Sequence, residues 1–227
     1  MAPSISTSNW KHISKDYIKE TIRFIIVRHP FERLVSAFRD KIERWNDKNE
    51  RQYGNKFGRY IVELYRDEYI AKFGRESLNE SNNLGAILPL SSGSRTEKLP
   101  TFWEFVQWFT NHQGSNQDEH WIPIIDYCSV CALKYDYILK FEDYKEENLE
   151  FLQQADLLKY FPNKNILTQK VNENRPDKLT SLEITKLYFD VLSNEDVEKL
   201  YNIYESDFKL FGYTFQFRNL TFPRLYI

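Results

Sequence analysis

The spacing of apolar residues changes abruptly near the start of the chain. Ile22 to Val27 is a run of β-branched and aromatic residues, the composition of a short buried strand. Two residues later Pro30 fixes φ at the first position of a helix. From Phe31 the apolar positions fall at Leu34, Val35, Phe38, Ile42 and Trp45, the i, i+3, i+4, i+7 stripe that buries one helical face. A strand is therefore expected to pass directly into an amphipathic helix whose opposite face is charged. Gly54 to Lys72 reads as another helix, with Tyr60, Ile61, Leu64 and Tyr65 as its apolar stripe.

Residues Ser77 to Pro100, rich in Ser, Asn, Gly and Pro, read as a long loop, either a cover for a ligand or a surface excursion. Thr101-Phe-Trp-Glu104 is then a capping box that opens an aromatic helix, Phe102 to Phe109. Tyr137 to Phe141 is strand-like, and Glu142 to Leu158 runs on from it as a helix. Ser193-Asn-Glu-Asp196 caps a helix whose Val197, Leu200, Tyr201, Tyr204, Phe208 and Phe211 form one long stripe ending near Gly212.

With 227 residues, 41% hydrophobic and 16% aromatic, the chain has enough apolar material for one substantial core, and a single domain over 1–227 is expected. A formal net charge of −2 gives no global field to attract nucleic acid. Locally the balance differs: residues 1–48 hold ten Lys/Arg against six Asp/Glu. No run approaches the roughly twenty apolar residues of a membrane span, and nothing at the start reads as a signal peptide. Cys128 and Cys131 are too few for a disulfide-built fold or a four-ligand zinc site, so no metal is expected. A local disulfide or two buried thiols are both open. No Gly-x-x-x-x-Gly-Lys-Ser/Thr occurs, which disfavours a nucleotide kinase or NTPase.

Arg28 stands at the carboxyl end of the first strand, where open α/β sheets bind ligands. A helix start offers unpaired N–H groups, a guanidinium adds a planar fork suited to phosphate or sulfate, and Ser36 adds a hydroxyl further on. The alternative is an ion pair between Arg28 and a carboxylate such as Glu32.

Val27-Arg28-His29-Pro30-Phe31-Glu32-Arg33-Leu34-Val35-Ser36-Ala37-Phe38-Arg39-Asp40-Lys41 resembles the 3′-phosphate-binding segment of the Golgi carbohydrate sulfotransferases, in particular the chondroitin and dermatan 4-O-sulfotransferase group. The resemblance implies an α/β fold, a three-layer α/β/α sandwich around a mainly parallel sheet similar to P-loop kinases. It implies 3′-phosphoadenylyl sulfate as donor, with Arg28 and Ser36 on its 3′-phosphate and Arg33 in the same donor site, and no metal. Pro3-Ser-Ile-Ser-Thr-Ser-Asn-Trp-Lys11 aligns with the family's 5′-phosphosulfate loop through Pro3, Asn9, Trp10 and Lys11, which assigns Ser4, Ile5, Ser6, Thr7, Ser8, Asn9 and Trp10 to the donor. Two departures stand out. Ser4 falls where the family has a lysine that stabilises charge on the bridging oxygen, and the strand expected before the loop is missing, as are several tens of residues before Arg23. A truncated chain and a diverged one both fit.

Asp118-Glu-His-Trp-Ile-Pro123, Cys128-Ser-Val-Cys131 and Tyr137-Ile-Leu-Lys-Phe141 resemble the acceptor half of the same family in order, and Asp207 to Tyr213 resembles its last helix. Sulfuryl transfer needs a base for the attacking hydroxyl, and His120 is the candidate, with His12 second; packing in a loop is the alternative for His120. Arg175 is a further candidate for donor phosphate. The resemblance implies a glycan acceptor, a glycosaminoglycan such as chondroitin or dermatan, and a Golgi location with a membrane anchor that this sequence does not carry. Asn79-Glu-Ser81 and Asn219-Leu-Thr221 are N-glycosylation sequons, in line with a glycoprotein. A catalytically inactive relative that only binds nucleotide or glycan is the alternative, resting on Ser4.

Overall fold

A computed structural model describes residues 21–43, 50–78, 99–112, 118–128, 130, 132–161 and 180–223. They belong to two compact units, one made of Met1–His29 and Pro123–Glu173, the other of Pro30–Ile122 and Asn174–Ile227. The fold is mixed α/β and contains a parallel strand pair, as the sequence predicts. Trp45 and most of the long loop before Pro100 lie outside the described residues.

In the first unit, β1 (Phe24–Val27) pairs in parallel with β2 (Tyr137–Lys140), Phe24 opposite Tyr137 and Val27 opposite Lys140. The start of the pair is fixed twice over. The Arg23 guanidinium grips the Asp136 carboxylate at 3.0 and 2.8 Å, and the Asp136 N–H donates to the Arg23 carbonyl at 2.8 Å. These charge-assisted bonds hold the exposed Asp136 carboxyl below its usual range. A helix (Tyr144–Gln154), numbered α5 below in chain order, covers the pair: the Phe151 ring lies 5.0 Å from Phe24 and 4.9 Å from Tyr137. Leu139, Phe151 and Leu152 make a small core.

The second unit is helical and aromatic. Helix α1 (Pro30–Ala37) starts at the proline, as expected, and widens into a π-helical segment, Phe38–Glu43. Phe31, Leu34, Val35, Phe38 and Ile42 are buried. The opposite face is not simply charged surface, since Glu32 and Arg39 are buried too. Arg39 is accommodated because its guanidinium lies against the Tyr188 ring, while Glu43 accepts the Tyr188 hydroxyl proton at 2.6 Å. A second π-helical segment (Glu50–Gly58) leads into α2 (Arg59–Phe73). Here the expected stripe is rotated: Phe57, Ile61 and Tyr69 are buried, whereas Tyr60 and Leu64 are exposed. The seam begins three residues earlier, in the π-helical segment, so the i, i+4 row runs from Phe57 and not from Tyr60.

Helix α3 (Phe102–Asn111) opens on the predicted box, with the Thr101 hydroxyl accepting from the Glu104 N–H at 3.2 Å and Glu104 accepting from the Thr101 N–H at 2.6 Å. Glu104, wholly buried, is neutralised by Arg66 of α2 at 2.6 Å. A short helix, α4 (Ile124–Tyr127), belongs to the first unit. Two further boxes open α6 (Ser181–Phe189) from Thr180 and α7 (Asn194–Phe211) from Ser193. Gly212 ends α7 at φ 64°, a left-handed conformation that costs glycine little. The hairpin β3 (Phe215–Phe217) and β4 (Leu220–Phe222) follows, with Asn219 exposed in its turn.

The core is a lattice of rings. Phe31 meets Phe189, Phe208 and Phe215 at 4.8 to 4.9 Å, joining α1 to α6, α7 and β3. Trp121 meets Phe57, Phe105 and Trp108 at 5.3 to 6.1 Å. Such pairs add about 0.5–1.5 kcal/mol each to the burial of their area.

Candidate functional site

In the first unit Arg28 follows β1 directly, and Phe141 holds the equivalent place after β2, its N–H donating to the Val27 carbonyl at 2.8 Å. The parallel register thus brings the two side by side, with the Arg28 guanidinium 5.0 Å from the centre of the Phe141 ring. Next along, the buried His29 donates its backbone N–H to Glu142 at 2.8 Å.

Ser36 lies in α1 of the second unit and is half-buried. Arg33, one turn earlier, forks onto the turn that carries His120: Nη1 donates to the Ile122 carbonyl at 2.7 Å and Nη2 to the Glu119 carbonyl at 2.8 Å. Of the residues assigned from sequence, Arg33 and His120 are therefore brought together. Ser4, Ile5, Ser6, Thr7, Ser8, Asn9 and Trp10, together with His12, Cys131 and Arg175, lie outside the described residues.

The His120 turn is tied down from several sides. The Trp121 indole is wholly buried, and its carbonyl accepts the hydroxyl of the equally buried Tyr204. Burial pushes the Tyr204 phenol far up, which keeps it a donor. The oxygen Oδ1 of Asp118 accepts the His120 backbone N–H at 3.0 Å and lies 2.5 Å from its ring Nδ1. On the other side the Tyr53 ring stands edge-on to the imidazole at 5.8 Å, its hydroxyl 3.4 Å from Nδ1. Burial first, and then the Asp118 charge, push the Tyr53 phenol up. Lys41 lies 5.6 Å from the Tyr53 ring centre and pairs with Asp40 at 2.8 Å, a bond that raises its ammonium.

Asp118, Tyr53 and Lys41 were not legible as site residues. An acid two positions before a histidine was a visible cue for Asp118; Tyr53 and Lys41 reach the site only through tertiary packing. Among the described residues no group of three or more His, Cys, Asp or Glu side chains could hold a metal ion. No helix there is long and apolar enough to cross a membrane.

Mouse (Mus musculus) carbohydrate sulfotransferase 8 is 32% identical over 199 residues, 87% of this chain and 41% of its own length. Carbohydrate sulfotransferase 12 of Xenopus laevis is 29% identical over 208 residues, covering 89% of this chain and 42% of that protein. Carbohydrate sulfotransferase 11 of Mus musculus is 28% identical over 201 residues, 87% and 48% of the two lengths. The chain thus spans about two fifths to one half of the length of these relatives. No solved structure matches. The model of the sulfotransferase family matches residues 2–214, nearly the whole sequence, and the chain belongs to that family.

Proposed function

We propose that the protein is a carbohydrate O-sulfotransferase that moves sulfate from 3′-phosphoadenylyl sulfate to a glycan hydroxyl, with a glycosaminoglycan such as chondroitin or dermatan as acceptor. The observation that carries this reading is the family match over residues 2–214, alongside named carbohydrate sulfotransferases. Arg28 and Ser36 bind the 3′-phosphate, the loop Ser4 to Trp10 receives the 5′-phosphosulfate, and His120 takes the proton of the attacking hydroxyl. The acceptor oxygen bonds to sulfur as the sulfur–oxygen bond to the 5′-phosphate breaks, leaving a sulfate ester and 3′-phosphoadenosine 5′-phosphate. As in phosphoryl transfer, positioning and charge stabilisation supply most of the rate. A Golgi location and a glycan on Asn219, which is exposed in the β3–β4 turn, belong to the same reading.

Calorimetric titration with 3′-phosphoadenosine 5′-phosphate tests the donor site. Micromolar binding, about −8 kcal/mol, that disappears in Arg28→Ala supports it; a folded wild-type chain that binds nothing rejects it. Ser4 favours a second reading, a relative that binds donor without turning it over, because serine cannot replace a cation at the bridging oxygen. Sulfate transfer that arises only in Ser4→Lys would select that reading.

A further inference from the structure

Any hydrogen bond between an ionised carboxylate and a ring nitrogen needs its proton on the nitrogen, because the carboxylate can only accept. Asp118 Oδ1 lies 2.5 Å from His120 Nδ1, whereas the Tyr53 hydroxyl lies 3.4 Å from it, at the outer limit of a hydrogen bond. The Nδ1 proton therefore goes to Asp118, and the lone pair of the neutral ring is left on Nε2. Among the described residues Nε2 has no hydrogen-bond partner. The His120 side chain keeps 30% of its exposure against 16% for Asp118, so the imidazole is the accessible member of the pair.

The backbone beneath this ring is equally constrained. Arg33 bonds the carbonyls of Glu119 and Ile122, which bracket His120 and Trp121, and Tyr204 bonds the carbonyl of Trp121. Carbonyls held by a guanidinium fork and a buried hydroxyl leave the turn little freedom to rotate the ring away. An arginine assigned from sequence to the donor thus has both of its terminal nitrogens engaged in holding the base.

We propose that Asp118 and Arg33 are positioning residues of the transfer reaction: Asp118 fixes His120 in the tautomer whose Nε2 accepts a proton, and Arg33 fixes the turn from which that nitrogen reaches an acceptor hydroxyl. This deepens the sulfotransferase reading and rests on it for the identity of the hydroxyl. During transfer the hydroxyl proton passes to Nε2, the Nδ1 proton stays in its bond to Asp118, and the imidazolium returns its extra proton to solvent after the sulfate ester leaves.

Long-range proton–nitrogen correlation spectra of the 15N-labelled full chain read the tautomer directly, with His120→Gln assigning the signal among the four histidines. The wild-type ring should carry its proton on Nδ1. Asp118→Asn offers an amide that can donate to Nδ1, so the proton should move to Nε2. With glycan acceptor, kcat of Asp118→Asn should fall by about 100-fold or more, KM for donor and acceptor should stay within about twofold, and Asp118→Glu should recover part of the loss. Arg33→Lys keeps the charge but not the fork; its kcat should fall about tenfold with donor affinity unchanged. A wild-type ring protonated on Nε2 overturns the proposal, as does an Asp118→Asn enzyme with unaltered tautomer and kcat. The tautomer is read without turnover, so it decides whether Asp118 sets the ring even if donor titration or glycan assay rejects the function.

Discussion

The two units support their chemistry on different foundations. Around His120 the turn rests on wholly buried rings, Trp121 against Phe57, Phe105 and Trp108, and every tether on it ends in a buried or half-buried group. Around Arg28 the flanking Val27 and His29 are buried, but the cluster under the strand pair is small, Leu139, Phe151 and Leu152, and Phe24, Ile26, Ile138 and Phe141 remain about half exposed. A group that must present one nitrogen in one direction needs a rigid mount, because an error of a fraction of an ångström costs rate. A group that must meet a mobile, charged ligand tolerates a softer one, since a guanidinium can adjust its fork to the anion.

Core truncation should separate the units most sharply. Trp121→Ala removes a wholly buried indole and should cost about 3–5 kcal/mol of stability, whereas Leu139→Ala in the smaller core should cost about 2 kcal/mol; urea denaturation of both variants measures the gap, and equal losses would erase the contrast. Phe141→Leu tests the softer mount. A cation–ring contact at a half-exposed site is worth about 0.5–1 kcal/mol, so affinity for 3′-phosphoadenosine 5′-phosphate should fall only a few-fold, against its loss in Arg28→Ala.

The smallest effect concerns pH. Burial pushes the Asp196 carboxyl up, but hydrogen bonds from Gln107 at 2.7 Å and from Ser193 outweigh it, so the net displacement is downward. A depressed carboxyl stabilises the fold at neutral pH, and that contribution is lost as pH falls through its lowered value, below about 4. The stability difference between wild type and Asp196→Asn should therefore be largest near pH 7 and shrink in acid. A gap that stays constant down to pH 3 would show that the network, not the charge, matters.

Legibility in the sequence followed the range of the interactions. Local signals succeeded: Pro30 began α1, Thr101 and Ser193 capped α3 and α7, and the long stripe of α7 is buried from Val197 to Phe211. Helix α6 was overlooked although Thr180 and Glu183 spell the same box as Thr101 and Glu104, and the β3–β4 hairpin although Phe215 and Phe217 alternate with polar residues. Those cues were present and merely short. The rotated stripe of α2 is different, because the π-helical turn before it shifts the phase that a 3.6-residue period assumes. At the candidate site, residue types pointed to Arg28 and His120, but the partners that condition them, Phe141, Asp118 and Tyr53, lie at separations from two residues to more than a hundred. Asp118 carried a local cue, but the contacts of Phe141 and Tyr53 are set by strand register and ring packing, which no local pattern encodes.

The parallel register of β1 and β2 also acts as a filter on charge. With Val27 opposite Lys140, the neighbour of Arg28 is the neutral ring of Phe141. A slip of one residue in one direction would set Glu142 there and quench the guanidinium; a slip in the other would set Lys140 there and repel it. The observed pairing sets the cation against a neutral ring, so the Arg23–Asp136 clamp at the far end of the strands holds the register that governs the electrostatics at the near one.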